Sequence, residues 1–369
     1  MSVYSSLDVP SRSLHLWKYT SWKRMHPTGN LSEVPFDLEL PQFSISLING
    51  DELPKGIKFE KATNSDCEDF SNSIDFEEGN VSPIFLKEIL CNNLYKLTVD
   101  KGVVLEQPII LSALFSGKIS GLHILLDIGE NSIVELVSKF EGDCKWVGIM
   151  REGIVGRGSI FNDVFINNLG EESVMLRVDG LEVSRDTQVK SGTLAIGGTR
   201  NKSDIRFELT GKGSFLSVNG STLGQGDTHE DSHIEIVHAV GSNQSRLFWH
   251  SVCDDNSNSI GTGMLKIMED ASGSDAGQLF HNLLLSPNAS ADSIPELEVL
   301  NDDVAAAHGT ANGPIDKNHQ FYLETRGHSK EEAKALIVES FLNESLLSMG
   351  SVKLIEHVTG CLVDKLTTK

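Results

Sequence analysis

The chain has 369 residues, 39% of them hydrophobic and 22% charged, an ordinary composition for a soluble globular protein of roughly one to three domains. Its net charge of −21, from 52 acidic against 31 basic residues, argues against nucleic acid and anionic lipid as main partners, because both need a basic surface. Five widely spaced cysteines without a CxxC pair argue against a disulfide framework and favour reduced thiols in the cytoplasm. No apolar run approaches the ~18 residues that a membrane-spanning helix needs.

Residues 1–90 form a mixed region with short apolar runs such as 43–48. Its N-terminal stretch, 1–24, carries Ser and Arg and little acid, as a transit peptide does, but it lacks the apolar stretch of a secretory signal. The acidic, Ser/Asn-rich stretch 64–80 predicts an exposed loop or linker. Residues 82–99 predict a short helix followed by a strand.

From about Leu94 to about Leu300, apolar and β-branched runs of about five to eight residues alternate with Gly, Asn, Asp and Ser, which predicts short strands between tight corners. No helical period lies between them, and this excludes a βαβ fold, whose parallel strands need helical crossovers. A G-x-[GN]-S turn followed by an apolar residue recurs at Gly129, Gly156 and Gly211, a quasi-period of about 27 residues of the kind that solenoid repeats show. The repeat favours a solenoid over a β-sandwich.

Helical patterns follow the strands. Residues 314–327 begin with a proline and end with a glycine, the residues preferred at the start and end of a helix, and therefore predict a helix. Residues 329–350 begin with a capping box of Ser329 and Glu332 and are apolar around much of the helix. A third, amphipathic helix is predicted over 351–366. The sequence thus predicts a mostly β chain with a mixed N-terminal region (1–90), a β core (91–312) and a C-terminal helical domain (313–369).

Two stretches suggest a metal site or a nucleotide site at first sight. His229 and His233 have the spacing of zinc ligands on a helix, but the alternation after them predicts a strand. On a strand they would share a face about 13 Å apart, at ~3.3 Å per residue, which is too far for one ion. Residues 196–203 lack the full phosphate-loop pattern, and no nucleophile elbow occurs. The sequence gives no reason to expect a self-contained enzyme.

One histidine, His308, stands in the small-residue stretch 300–313, just after Asp302 and Asp303. The small residues predict a tight turn with free space around the imidazole. A lone histidine on a turn is more often structural than functional, so this stretch by itself leaves both interpretations open.

Five stretches of the C-terminal half together resemble the SufB/SufD family of iron–sulfur cluster assembly proteins. They follow the order of that family: 198–220, 227–246, 278–286, 295–316 and 320–341. The resemblance implies a right-handed parallel β-helix in the middle of the chain, in agreement with the predicted strands and the glycine repeat. It also implies that the C-terminal helices dock onto SufC, an ABC-type ATPase. We expect the contact to involve Leu336, Val338, Phe341 and Leu342.

Within that family the chain resembles SufD, the partner subunit, more than SufB, the scaffold. Residues 17–20 match the Trp-Lys-Tyr-Thr element common in SufD chains. SufB-type chains carry a cysteine at the position of Ala289 and an acidic residue at that of Gly309, and a cluster scaffold needs such ligands for iron. Many SufD chains also have a cysteine at the position of Ala306, so here His308 is the strong iron ligand that the motif retains.

The resemblance implies a non-enzymatic, cytoplasmic SufD-like subunit of the SUF iron–sulfur cluster assembly complex. It would pair through its β-helix with a SufB-like scaffold, or with a second copy of itself, and bind the ATPase through residues 313–350. His308 would then be an interface group and a candidate metal ligand. We expect no cofactor bound stably by this chain alone, and a transient iron–sulfur cluster at the interface.

Two alternatives stay open at this point. The chain could be a homodimeric scaffold that holds the nascent cluster itself, with His308 and acidic neighbours such as Asp302 and Asp303 as ligands. An unrelated β-solenoid, such as a carbohydrate-active lyase or an adhesin, would usually be secreted, and the sequence shows no signal peptide.

Overall fold

The computed structural model describes residues 3–71 and 80–367, and its centre is a solenoid of two nine-stranded sheets. Sheet I contains β1 (Gln42–Leu47), β4 (Ile109–Leu114), β6 (Ile133–Gly142), β8 (Ile160–Leu169), β10 (Gln188–Ala195), β12 (Phe215–Gly224), β14 (Gln244–Cys253), β16 (Asp275–Leu284) and β18 (Ala305–Pro314). Sheet II contains β2 (Ile57–Lys61), β3 (Leu94–Val99), β5 (Gly117–Ile128), β7 (Cys144–Val155), β9 (Val174–Val183), β11 (Arg200–Leu209), β13 (His229–His238), β15 (Asn258–Ile267) and β17 (Ser290–Val299).

From β3 and β4 onwards, the chain alternates between the sheets and neighbouring strands of one sheet run parallel. Val189 lies beside Phe161 of the preceding coil and beside Leu216 of the following coil. The number of residues that separates each of these positions from the next along the chain matches the quasi-period of about 27 residues in the glycine repeat. A Cβ on Gly156 would lie 2.8 Å from the carbonyl oxygen of Ile128 in the preceding coil, so the corner needs glycine. The prediction of a mostly β solenoid is confirmed.

The main apolar core fills the space between the two sheets, as one continuous cluster from Ile57 to Phe280. The strands are buried on both sides over much of their length because other segments cover their outer faces. Residues 3–40, here called the N-terminal segment, lie on the outer face of sheet II. Their aromatic residues form a second cluster with α3 and sheet II, which includes Trp17, Trp22, Phe85, Leu86, Trp146 and Met150.

The described N-terminal residues include three α-helices, α1 (Trp22–Met25), α2 (Asn64–Ser71) and α3 (Ser82–Ile89), besides two short 3-10 turns. The prediction of a loop over 64–80 is wrong for residues 64–71, and residues 72–79 lie outside the described part. The helix forms because the Asp66 carboxylate accepts hydrogen bonds from the amide and the hydroxyl of Thr63, at 2.8 and 2.7 Å. Phe70 then anchors it against Leu94 and Leu125. The predicted helix and strand over 82–99 are confirmed.

Three helices follow the last strand: α4 (Lys317–Thr325), α5 (Lys330–Leu346) and α6 (Val352–Thr367). The predicted capping box is present, since Glu332 donates its amide to the Ser329 hydroxyl at 3.1 Å and accepts the Ser329 amide at 2.7 Å. α5 and α6 pack on the outer face of sheet I, whereas α4 has no buried residue. No helix in the described part of the chain is both long and apolar enough to cross a membrane.

Candidate functional site at the open end of the solenoid

The two ends of the solenoid differ. At the N-terminal end, β1 and β2 pair antiparallel with β4 and β3 and so complete both sheets. There Phe43, Phe59 and Tyr95 form an aromatic layer with ring centroids 4.7 to 5.6 Å apart. At the C-terminal end, β17 and β18 are the outermost strands of their sheets, and no described residue pairs with their outer edges. An unpaired edge is a template for strand addition, so this open end is the candidate site.

His308 lies in the middle of β18, so the prediction of a turn is wrong. Its register partner on β16 is Gln278. The residues two positions to either side of Gln278, Ala276 and Phe280, are buried between the sheets, so Gln278 and His308 both face the inside of the solenoid. His308 is nevertheless exposed, because no further coil covers it. The stretch has few β-formers, and its pairing with β16 makes it a strand despite that composition.

Exposed apolar residues surround this end. On β17 and the corner after it, Leu297, Val299 and Leu300 are 37%, 41% and 47% exposed. Asp303 is tied into the corner, where its carboxylate accepts a hydrogen bond from the Ser272 hydroxyl at 2.5 Å. In the described part of the chain, no group of three or more His, Cys, Asp or Glu side chains could hold a metal ion. The role of His308 as a metal ligand stays a prediction.

The coil beneath His308 is held together by side-chain amides. Gln278 donates from Nε2 to the carbonyl oxygen of Glu296 on β17, at 2.9 Å, and thereby joins the two sheets. Its Oε1 is buried and has no hydrogen-bond partner among the described residues. Asn282 donates from Nδ2 to Ser293 on β17 and to Asn312 on β18, at 2.7 and 2.6 Å. The His308 side chain thus stands on a closed polar layer at the mouth of the solenoid.

Three of the four residues predicted to contact an ATPase lie on the face of α5 that packs against the solenoid. Val338 and Leu342 are 3% and 0% exposed, packed against sheet I. Phe341 stacks on His250 with ring centroids 4.8 Å apart, and Leu336 is exposed. Because charged and apolar residues are interspersed around α5 and form no single apolar face, the sequence could not show which side faces the solenoid. ATPase binding by this region stays a prediction.

The exposed large apolar residues of the C-terminal domain lie on its three helices and just beyond α5: Phe321, Tyr322, Leu336, Leu347 and Val352. Phe321 and Tyr322 on α4 are 67% and 56% exposed, and Leu336 on α5 is 39% exposed. The sequence predicted α4 from the proline and glycine at its ends, and Phe321 and Tyr322 were not among the residues expected to contact a partner. The signal was available in the adjacent Phe and Tyr of a helix with few other apolar residues.

The two histidines considered as zinc ligands lie on β13, which confirms the predicted strand. They face outward beneath the N-terminal segment, where the Thr20 hydroxyl contacts His229 Nε2 at 2.8 Å and donates to Asp231. Lys202 completes the cluster, 3.3 Å from the Asp231 carboxylate. Burial lowers the pKa of His233 to about 4. Thr20 ends the 17–20 element, so that element pins the N-terminal segment to sheet II.

A second charged cluster, not anticipated from the sequence, lies inside the solenoid. The Arg151 guanidinium pairs with Asp163 at 2.8 Å and also with Asp179, and Arg177 pairs with Asp179 at 2.5 Å. Phe165 lies 3.6 Å from the Arg177 guanidinium. Burial opposes ionisation, but the two arginines outweigh it and lower the pKa of Asp179 to about 2. The four charges are mutually paired, which is how a protein interior accommodates them.

Comparisons with known proteins agree with the resemblance seen in the sequence. The iron–sulfur cluster assembly protein SufD of Escherichia coli is 22% identical over 376 residues, which cover 93% of this chain and 86% of that protein. SufD of Bacillus subtilis is 26% identical over 264 residues, covering 70% of this chain and 60% of the relative. SufB of the same organism is 22% identical over 213 residues, covering 58% and 42%.

A family model described as "SUF system FeS cluster assembly, SufBD core domain" matches residues 113–341. That span contains most of the solenoid, the open end with His308, α4 and most of α5. The match covers more than half of the chain. The chain therefore belongs to the SufBD family of the SUF system for iron–sulfur cluster assembly, and within that family it is SufD-like.

Proposed function

We propose that this chain is the non-catalytic partner subunit of a SUF assembly complex and that it joins a SufB-like scaffold at its open end. One observation carries the proposal: His308 is exposed on the inner face of a strand that no further coil covers. A second solenoid that continued the sheets would bury Leu297 and Val299 and would enclose His308 between the two subunits.

The chemistry of the open end suits a shared site. A neutral imidazole ligates iron, but one nitrogen cannot hold a cluster, which needs several thiolate, carboxylate or imidazole ligands. The scaffold would supply the others, and this chain would supply His308. The iron–sulfur cluster is cargo here, built at the interface and passed on.

The energy for building and releasing the cluster would come from ATP hydrolysis by a SufC-type ATPase bound to the C-terminal domain. Phe321 and Tyr322 on α4 and Leu336 on α5 are exposed apolar side chains that such a partner could cover. Solvent-exposed aromatic pairs of this kind are frequent at protein interfaces. The pairing of α4 with a partner would also account for a helix that buries none of its own residues.

The pairing is tested by co-expressing the chain with a SufB-type scaffold and a SufC-type ATPase and measuring the mass of the purified complex. We expect Leu297→Asp to abolish scaffold binding, because it places a charge in the contact. The matched control is Leu114→Asp, an exposed leucine at the closed end, which should bind as the wild type does. Unchanged scaffold binding by Leu297→Asp would overturn the assignment of the open end.

The role of His308 is tested on the assembled complex. His308→Ala should keep both partners but yield little protein-bound iron and sulfide, whereas Thr310→Ala, two residues along the same exposed face, should yield normal amounts. A purified chain that pairs with itself at the open end and holds a cluster without a scaffold would instead establish the homodimeric alternative.

A further inference from the structure

The two strands that end the solenoid occupy equivalent positions but are anchored very differently. β17 is tied by side chains along its length. Lys266 pairs with Glu298 at 2.9 Å, His15 lies 3.3 Å from the Glu296 carboxylate, and Gln278 donates to the Glu296 carbonyl oxygen. The N-terminal segment, the neighbouring strand and the opposite sheet therefore all hold β17.

β18 has almost none of these anchors. Among the described residues, Asn312 provides its one side-chain hydrogen bond, from Asn282 at 2.6 Å. None of its residues is buried, and Thr310 is its single β-branched residue. Alanine and glycine contribute little to strand stability, and glycine gains the most backbone entropy on release. The backbone ladder with β16 is the main interaction that keeps β18 in place.

The two ends of β18 are also unequal. The corner before it is fixed, because the Asp303 carbonyl oxygen accepts the Gly273 amide at 2.7 Å and Asn301 donates to Glu269 at 2.6 Å. The far end runs into α4 through Ile315, which packs against the apolar cluster of the C-terminal helices, and Asp316, which is the N-cap of α4. Because only these two residues separate β18 from α4, a displacement of α4 would also move the C-terminal end of β18.

We propose that β18 is the moving part of this subunit: its C-terminal half detaches from β16 and rejoins it, and it carries His308 in and out of the site while β16 and β17 stay closed. The opening of the strand depends on this chain alone. The idea that a bound ATPase drives it through α4 rests on the proposed function. Gln278 and Asn282 keep the coil beneath shut, because each donates a hydrogen bond to β17.

The strand's own opening is tested by amide hydrogen exchange of the full chain without partners. Residues 308–313 should exchange at least about tenfold faster than residues 293–299 of β17, since exchange from a native strand reports its local opening. Asn312→Ala should widen the difference, because it removes the one side-chain bond. Equal protection of the two strands in the wild-type chain would overturn the proposal, whether or not an ATPase binds.

The link to function is tested with two cysteine pairs at register neighbours on the inner face of β16 and β18. Asn282→Cys with Asn312→Cys locks the end next to α4, and Ala276→Cys with Ala306→Cys locks the end that is already fixed. Adjacent strands lie about 4.8 Å apart, within the span of a disulfide. In the complex with ATPase and ATP, exchange of 308–311 should rise about tenfold in the second oxidised variant and stay unchanged in the first.

Reduction of the first variant should restore the ATP-dependent exchange of 308–311, and the reduced form serves as the control for the loss of the Asn282 hydrogen bonds. If the first oxidised variant responds to ATP as the wild type does, the C-terminal half of β18 does not detach from β16, and the inference fails while the partner assignment stands. If neither the variants nor the wild type binds the ATPase, the proposed function fails, and the exchange of the isolated chain still decides whether β18 opens.

Discussion

Gln278 and His308 are register neighbours on the inner face of the last two strands of sheet I, one buried and the other exposed. Equivalent positions in two consecutive coils thus have different roles: Gln278 is part of the packed interior, whereas His308 is accessible to a ligand. The difference arises only from where the solenoid ends. This relationship predicts that the two residues respond in opposite ways to substitution.

His308→Ala should hardly change stability, because the side chain is exposed and makes no hydrogen bond to another described residue. We expect the free energy of unfolding to change by less than about 0.5 kcal/mol, as at most surface sites. Gln278→Ala should cost about 1–3 kcal/mol, since it removes the bond between the sheets and leaves a cavity. Urea unfolding of both variants measures the difference, and a large loss in His308→Ala would make the histidine structural.

If His308 supplies a ligand to iron, thiolate is a suitable replacement. His308→Cys should therefore recover part of the iron and sulfide that His308→Ala loses in the assembled complex. Chemical analysis of the purified complex checks this, with the double variant His308→Ala/Thr310→Cys as a control for a thiol placed on the same face but at a neighbouring position. Equal recovery by the two cysteine variants would mean that any thiol at the open end suffices and that His308 has no special place.

The structure separates two sets of C-terminal residues that the sequence could not. Tyr322→Asp changes an exposed side chain and should abolish ATPase binding with the melting temperature preserved. Phe341→Asp would place a charge against His250 under α5 and should cost several kcal/mol of stability instead. Leu347→Asp, an equally exposed apolar residue beyond α5, is the control and should bind normally. A pull-down with each variant, paired with its thermal unfolding curve, distinguishes docking from packing.

Much of the architecture could be predicted from the sequence because it depends on local pattern. The succession of strands, the glycine corners and the Ser329–Glu332 capping box follow from residue spacing. The predicted strand length of about five to eight residues is wrong for most of the solenoid, since β5 has 12 residues and β6 has 10, because pairing with neighbouring coils extends the strands beyond their apolar runs. The position of His308 could not be predicted, since its strand is made by pairing with β16 and not by its own residues. The side of α5 that faces the solenoid could not be predicted either, because charged and apolar residues are interspersed around this helix. The buried ion pair of Arg151 with Asp163 could not be predicted either, because these residues lie on different strands and come together only when the solenoid has folded.

Acid should destabilise the chain through its buried histidines. Burial lowers the pKa of His233 and of His238 to about 4, so each contributes stability that is complete above the unfolded pKa of ~6.5 and is lost as the pH falls towards 4. Burial raises the pKa of Glu230 to about 7, and this group acts in the opposite sense, because its folded form takes up a proton as the pH falls from 7 to ~4.5.

As the pH falls from 7 to 5, His233 and His238 each lower the free energy of unfolding by about 2 kcal/mol, and Glu230 raises it by a similar amount. We therefore expect a net loss in the wild type, a smaller loss in His233→Gln and a larger loss in Glu230→Gln. Urea unfolding at the two pH values measures all three. Parallel changes in the two variants would show that other groups control the acid response.

The N-terminal segment should depend on the contact of Thr20 with the cluster on β13. Thr20→Val keeps the shape of the side chain but removes the hydroxyl that donates to Asp231, and this should cost about 1–2 kcal/mol. Lys202→Met should cost more, about 3–5 kcal/mol, because it leaves Asp204 and Asp231 buried without their cation. Limited proteolysis should then cut Thr20→Val within residues 3–40 first, while the solenoid stays intact. Thr28→Val, whose hydroxyl has only local contacts, is the matched control, and equal cleavage of the two variants would show that the cluster does not hold the segment.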